Sequence, residues 1–144
     1  MKNNNEIKKL NNKGFSLVEL IIVIAIMAVL IGVLAPQYLK YVEKSRESAD
    51  LDNYQAIISA VQVYYADPTH TIADGSYSIE FDGTVTGTTS AEITVALTDS
   101  GVSTTGLTMK SNAYKKAKLT FSVTSGQYTF STDVPALNTA LGLN

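Results

Sequence analysis

The chain has no cysteine among its 144 residues and a single histidine, His70. Without thiols, whatever folds here is held by packing and hydrogen bonding alone, with no disulfide to constrain the unfolded chain. One imidazole and no thiolate leave only carboxylates for a zinc site, a donor set that zinc rarely uses by itself. His70 follows Asp67-Pro68-Thr69 and reads as a surface loop residue rather than a ligand or a base. Neither a GxxxxGK[ST] phosphate cradle nor a GxGxxG fingerprint occurs, so any energy-requiring process involving the chain draws its energy from elsewhere. Asp50 and Asp52 fall on different faces of a helix and read as solvated positions, not as an acid-base pair. No catalytic constellation, metal site or cofactor is expected. Positive charge is scarce as well: beyond residue 14 there are seven basic side chains against twelve acidic ones, a net −5 that argues against generic nucleic-acid binding.

What the chain does have is apolar length. Leu20 to Ala35 is sixteen apolar residues in a row, and counted from Phe15 the run reaches twenty-one, interrupted only by Ser16 and Glu19. A helix rising about 1.5 Å per residue crosses a hydrocarbon core of roughly 30 Å over that length. Ahead of it, Met1 to Lys13 carries four lysines and one glutamate, so the positive-inside rule keeps that end cytoplasmic and sends the chain after Ala35 outside. A secretory signal peptide also begins this way. The run here is longer than an ordinary signal core, however, and ends in Ala35-Pro36-Gln37-Tyr38 without a small-x-small cleavage pattern. A plain single-pass anchor leaves Glu19 unexplained, because a lone carboxylate in the bilayer costs roughly 2.5 kcal/mol or more unless it snorkels or pairs.

Lys13-Gly14-Phe15-Ser16-Leu17-Val18-Glu19, a basic leader closed by glycine and followed by Phe-x-x-x-Glu and an apolar helix, resembles the N-terminus of a type IV pilin precursor. The resemblance covers roughly Lys13 to Tyr65. It implies that a prepilin peptidase cuts between Gly14 and Phe15, that the new Phe15 amine is methylated, and that the apolar segment survives processing. It also implies a polymer of copies of this chain, assembled from the membrane by a membrane platform and a cytoplasmic ATPase. Lacking the C-terminal disulfide loop of many Gram-negative pilins, the chain is similar to pilins of Gram-positive bacteria. The chemistry of the motif also stands by itself. Cleavage places an ammonium on Phe15 one turn from Glu19, and two charges that are each costly in lipid lose much of that penalty when paired. If Glu19 of one subunit meets the Phe15 amine of its neighbour, the pair sets the axial register. The alternative is that Glu19 merely snorkels.

Pro36 closes the apolar run, removes the hydrogen bond to the Gly32 carbonyl and bends the helix. Gly32 weakens helicity there too. The resemblance implies that Gly32 to Pro36 extends or melts when subunits pack. The helix is expected from Phe15 to Ala66. Glu43, Lys44, Arg46, Glu47, Asp50 and Asp52 make the part after Pro36 polar. Then comes a stripe of Leu51, Tyr54, Ile58, Val61 and Tyr65 that packs on a head. Asp67-Pro68 ends the helix.

The expected organisation is a leader over 1–14, a membrane and assembly helix over 15–36, its amphipathic continuation over 37–66 and a β-rich head over 67–144. Within the head, Tyr77, Ile79 and Phe81 alternate with polar residues over Ser76–Asp82, predicting a half-buried strand. Leu119–Thr124 and Gln127–Thr132 form a hairpin about Ser125-Gly126. Thr89-Ser-Ala-Glu92 resembles a capping box opening a short helix with Ile93, Ala96 and Leu97 on one face and Gly101 as its stop, strand being the alternative. Asp133, Pro135, Leu137, Leu141 and Gly142 suggest a last helix. The fold class is α+β, an antiparallel sheet on the outer half of the long helix. Lys110, Lys115, Lys116 and Lys118 read either as a solvated sheet edge or as a contact for the next subunit, DNA or another anionic polymer. Ser and Thr between Thr84 and Thr108 suit exposed strand and loop positions and equally suit O-linked sugars. The reading is a major pilin that passes from the membrane into a surface filament for adhesion, aggregation or motility. The alternatives are a minor pilin, a pseudopilin of a secretion or DNA-uptake apparatus, and a membrane-tethered binding domain that never polymerises.

Overall fold

A computed structural model of the chain describes residues 14–82, 84–88, 91–102 and 107–143. The leader before Gly14, the Thr89-Ser90 half of the expected capping box and part of the Ser/Thr-rich stretch lie outside the described residues. The chain divides into two compact units, Met1–Leu39 and Lys40–Asn144.

The first unit is built on the start of a long helix, α1 (Leu17–Ala66), which begins two residues later than the apolar run predicts. Ser16 explains the shift. Its Oγ accepts the backbone N–H of Val18 at 3.3 Å and its own N–H is taken by Glu19 Oε2 at 2.8 Å, so Ser16 is the cap and not the first helical residue. Pro36 lies inside α1.

In the second unit the outer part of α1 meets a four-stranded antiparallel sheet of order β2-β1-β3-β4. The strands are β1 (Gly75–Asp82), β2 (Thr84–Thr88), β3 (Leu119–Thr124) and β4 (Gln127–Thr132), with α2 (Ala91–Asp99) after β2 and α3 (Pro135–Leu141) after β4. The fold is therefore α+β, as the patterning predicts. β1 and the β3–β4 hairpin stand where the alternation puts them, and α2 resolves the helix-or-strand ambiguity with Ile93, Ala96 and Leu97 buried on one face. β2 is not among the expected strands, because Thr-Val-Thr-Gly-Thr offers one apolar residue and no alternation. It pairs with β1 through an irregularity between Glu80 and Phe81.

Tyr54, Ile57, Ile58, Ala60 and Val61 of α1 are buried against Ile79 and Phe81 of β1, Leu119, Phe121 and Val123 of β3, and Ile93, Leu97 and Leu137 of the short helices. Each fully buried aliphatic chain contributes about 1.5–3 kcal/mol. The expected stripe is thus correct in position but too narrow: Ile57, Ala60 and Asp50 join it, while Leu51 and Tyr65 are only partly covered. Tyr54 meets Phe81 edge-on at 5.2 Å between centroids. At the other end of this stretch, Tyr65 meets Tyr128 at 4.9 Å and donates its hydroxyl to the Gly126 carbonyl at 2.8 Å.

The turn that Tyr65 touches has φ of 50° at Ser125 and 76° at Gly126, the two positive values a two-residue hairpin loop needs. Asp74 Oδ2 accepts the Ser125 N–H at 2.9 Å and holds the non-glycine residue in that conformation. Where the chain leaves β4, the Asn138 side chain takes both backbone groups of Thr132: its Oδ1 accepts the N–H at 2.6 Å and its Nδ2 donates to the carbonyl at 3.0 Å.

Candidate processing and assembly site

Gly14, Phe15 and Ser16 are exposed and precede the first helical residue, so the Gly14–Phe15 peptide lies in non-helical, accessible chain. A Cβ on Gly14 would meet nothing within 4 Å, and Gly14 is not among the glycines with positive φ. Nothing among the described residues requires glycine there.

Phe15 is 91% exposed, and every large apolar side chain from it to Leu34 is exposed as well. Among the described residues α1 is the one helix long and apolar enough to cross a membrane, by length and composition. Glu19 is the one charged side chain on this rod before Lys40. Its Oε2 is engaged by the Ser16 N–H, and Phe15, Glu19, Leu20 and Val23 border an open recess of about 470 Å³. The carboxylate therefore does two things. It neutralises an orphan N–H and the positive end of its own helix, each a modest local gain. It also keeps Oε1 free of any hydrogen bond among the described residues, and Oε1 can accept a second donor. Ser16-x-x-Glu19 has the spacing of a capping box, a local signal set at the edge of the much longer apolar run.

Gly32 has open space where a Cβ would stand, so it too is not required by contacts within the chain. Four residues on, Pro36 lacks the N–H that would reach its carbonyl.

The lysine group stands elsewhere than expected. Residues 107–118 form a strap that runs beside α1 and enters β3, an inner strand of the sheet, so these lysines guard no edge. The strap is fastened by α1 carboxylates. Asp50, fully buried, accepts the backbone N–H of Lys110 at 2.8 Å and of Ser111 at 2.7 Å. Glu43 accepts the Asn112 backbone N–H and, at 3.4 Å, its side-chain amide. Tyr54 donates its hydroxyl to the carbonyls of Tyr114 at 3.0 Å and Ala117 at 3.1 Å. Burial, reinforced by the negative charges of Asp50 and Asp133, pushes the Tyr54 phenol well above its ordinary value.

The assignment of Asp50 to a solvated face is therefore wrong. It lies four residues before Tyr54, on the apolar stripe itself, and that spacing was the signal available. Asp52 is exposed, as expected. Lys118 Nζ pairs with Glu80 at 2.9 Å and Lys115 Nζ donates to Asn112 Oδ1 at 3.3 Å. His70 is less of a surface residue than its loop position suggests, since its ring stacks on Tyr64 at 3.9 Å. Among the described residues no group of three or more His, Cys, Asp or Glu side chains is placed to hold a metal ion.

Comparison with known proteins bears on the first of these regions. The family described as "Prokaryotic N-terminal methylation motif" matches residues 9–35. A curated relative, "Type IV major pilin protein PilA" of Myxococcus xanthus (strain DK1622), is 32% identical over 56 residues, which is 39% of this chain and 26% of the relative. The matched segment thus spans about a quarter of that relative's length. No solved structure matches the chain. Motif and relative together support a type IV pilin precursor, and point to a structural rather than an enzymatic family.

Proposed function

We propose that this type IV pilin precursor supplies the major subunit of a type IV pilus. Prepilin peptidase cuts between Gly14 and Phe15, the Phe15 amine is methylated, and the apolar rod passes from the bilayer into the core of a helical polymer of this chain. A membrane platform and a cytoplasmic ATPase drive that transfer, and the finished filament stands outside the cell for adhesion, aggregation or motility. Glu19 of each subunit receives the Phe15 ammonium of a neighbour. Gly32 and Pro36 mark the stretch of α1 that extends on packing.

One observation carries this reading. The exposed apolar rod has a single carboxylate, one turn from the proposed new N-terminus, and an accessible glycine-phenylalanine bond just before it. A simple anchor needs neither feature. An unpaired carboxylate would cost it roughly 2.5 kcal/mol.

Shearing filaments from cells that express the chain and determining the N-terminus of the dominant polypeptide by mass spectrometry tests the proposal. N-methylated Phe15 on the most abundant component is the expected result. Scarcity within the filaments would identify a minor pilin or pseudopilin instead, and retention in the membrane fraction with an intact leader would refute polymerisation.

A further inference from the structure

In the second unit the cations sit at one end of α1, interspersed there with Glu43, Glu47, Asp50, Asp52, Glu80 and Asp133. The seven basic residues that follow the leader lie in two stretches, Lys40–Arg46 and Lys110–Lys118. Hydrogen bonds from the strap to Glu43 and Asp50 bring the second stretch beside the first, at the end where α1 enters the unit. At the other end, where α1 stops, Asp67, Asp74 and Asp99 gather with no lysine or arginine. Asp74 is tied there by its bond to the hairpin turn that Tyr65 also holds, and Asp67 and Asp99 border one cavity. From Arg46 to Ala66 is twenty helical residues, roughly 30 Å. That is nearly four Debye lengths at physiological salt, so within one subunit the two ends barely sense each other.

The acidic pole contains a shaped recess. An open cavity of about 180 Å³ is lined by Val63, Tyr64, Asp67, His70, Asp99 and Ser100. Its lining includes the Tyr64–His70 pair, whose rings stack at 3.9 Å and 8°. Asp67 Oδ1 is occupied by the Thr69 N–H at 2.8 Å and hydroxyl at 2.7 Å, bonds that hold its carboxyl below the ordinary range. Its Oδ2 lies 3.9 Å from His70 Nδ1, too far for a hydrogen bond, and that nitrogen is buried with no hydrogen-bond partner among the described residues. Two carboxylates beside an aromatic pair suit an ammonium or guanidinium group, which gains from the charges.

We propose that this cavity is a socket for a basic side chain of a second copy of this chain, offered by the collar of Lys40, Lys44, Lys110 and Lys115; Arg46 beside them is paired with Glu43 at 3.6 Å. The contact is heterologous, acidic pole to basic collar, so each subunit that docks presents a fresh socket, as an open helical polymer requires. It rests on the filament reading and adds to it a second set of contacts between heads, sensitive to salt where the packing of the apolar rods is not.

The test uses the full chain expressed in cells. Asp67→Asn with Asp99→Lys, and separately Lys44→Glu with Lys115→Glu, should each lower the yield of sheared filaments at least tenfold while precursor level and cleavage before Phe15 stay unchanged. Asn at 67 keeps the acceptor for Thr69, and the lysine changes fall on the other end of the unit, so a folding defect common to both is excluded by design. All four changes together should return at least a third of the wild-type yield. Wild-type yields from both double variants, or no recovery in the combination, would overturn the socket and leave the filament reading standing. If the wild-type chain itself yields no filaments, the filament reading fails and the socket fails with it.

Discussion

Replacing Glu19 with Gln separates its two jobs. In the structure the Glu19 carboxylate accepts the Ser16 N–H at 2.8 Å, an interaction that glutamine reproduces at the same capping-box position. Capping interactions of this kind contribute about 0.5–2 kcal/mol, so Gln should leave the start of α1 intact. What it removes is the negative charge, which on the proposed assembly strands the neighbour's Phe15 ammonium in an apolar surround at a cost of roughly 2.5 kcal/mol. At 1.4 kcal/mol per factor of ten, each subunit addition becomes about 60-fold less favourable. Glu19→Ala loses the cap too, and about 1 kcal/mol more lowers assembly a further fivefold. The assay is immunoblotting of sheared filaments and of the membrane fraction from the same cells, normalised to processed chain. Insertion and cleavage should be unchanged in both variants, with filaments nearly absent in both. If Glu19→Gln assembles within threefold of wild type while Glu19→Ala does not, the residue acts as a helix cap and the charge-pair argument is wrong.

Other outcomes follow from the strap and from the end of α1. Asp50→Ala deprives two backbone N–H groups of a buried charged acceptor and should cost about 3–5 kcal/mol. Thermal unfolding of the full chain in detergent, read by near-ultraviolet circular dichroism of the tyrosines, should drop by more than ~12 °C, and a loss below ~1 kcal/mol would show the clamp to be incidental. Tyr54→Phe leaves the Tyr114 and Ala117 carbonyls without their donor and should cost about 1–2 kcal/mol at neutral pH. Because burial raises the Tyr54 phenol above its unfolded value, its contribution is complete below about pH 10 and is lost as pH climbs beyond that toward the folded value. The melting temperature of the wild type should therefore fall more steeply above pH 10 than that of Tyr54→Phe, and parallel curves would contradict this. The Asp67 carboxyl is depressed first by the Thr69 hydroxyl, then by the Thr69 N–H, so its contribution persists at neutral pH and fades as acid protonates it below about pH 4. Thr69→Ala should move the Asp67 midpoint upward in a carboxyl-detected NMR titration, and an unmoved midpoint would deny the hydroxyl that role.

Much of this was legible because it rests on periodicity. The apolar rod, the Tyr54-Ile58-Val61 stripe and the alternation in β1, β3 and β4 each obey a single period over enough residues to leave one interpretation. Ser125-Gly126 and Pro135 mark turn and helix start by backbone chemistry that acts locally. What escaped detection depends on partners distant in sequence. Asp50 reads as one more charge in a polar stretch until Lys110 and Ser111, sixty residues on, bring their N–H groups to it. The lysines read as an edge because nothing in their spacing says that the strand after them is an inner one. Tyr64 and His70 meet only because the chain turns back past Pro68. At the N-terminus the difficulty was different: Glu19 has a local partner in Ser16, three residues away, and a more conspicuous feature surrounded it.

The amide of Asn138, lying against Thr132, bears on how crowded copies avoid the wrong kind of association. Chains held side by side in a membrane at high local concentration are the setting in which outer strands zip together. At the place where β4 would begin to recruit a foreign strand, both main-chain groups are already answered by an amide that imitates a peptide unit, and a newcomer would have to evict it. On the proposed assembly, growth is thereby steered away from cross-strand stacking and toward the rods.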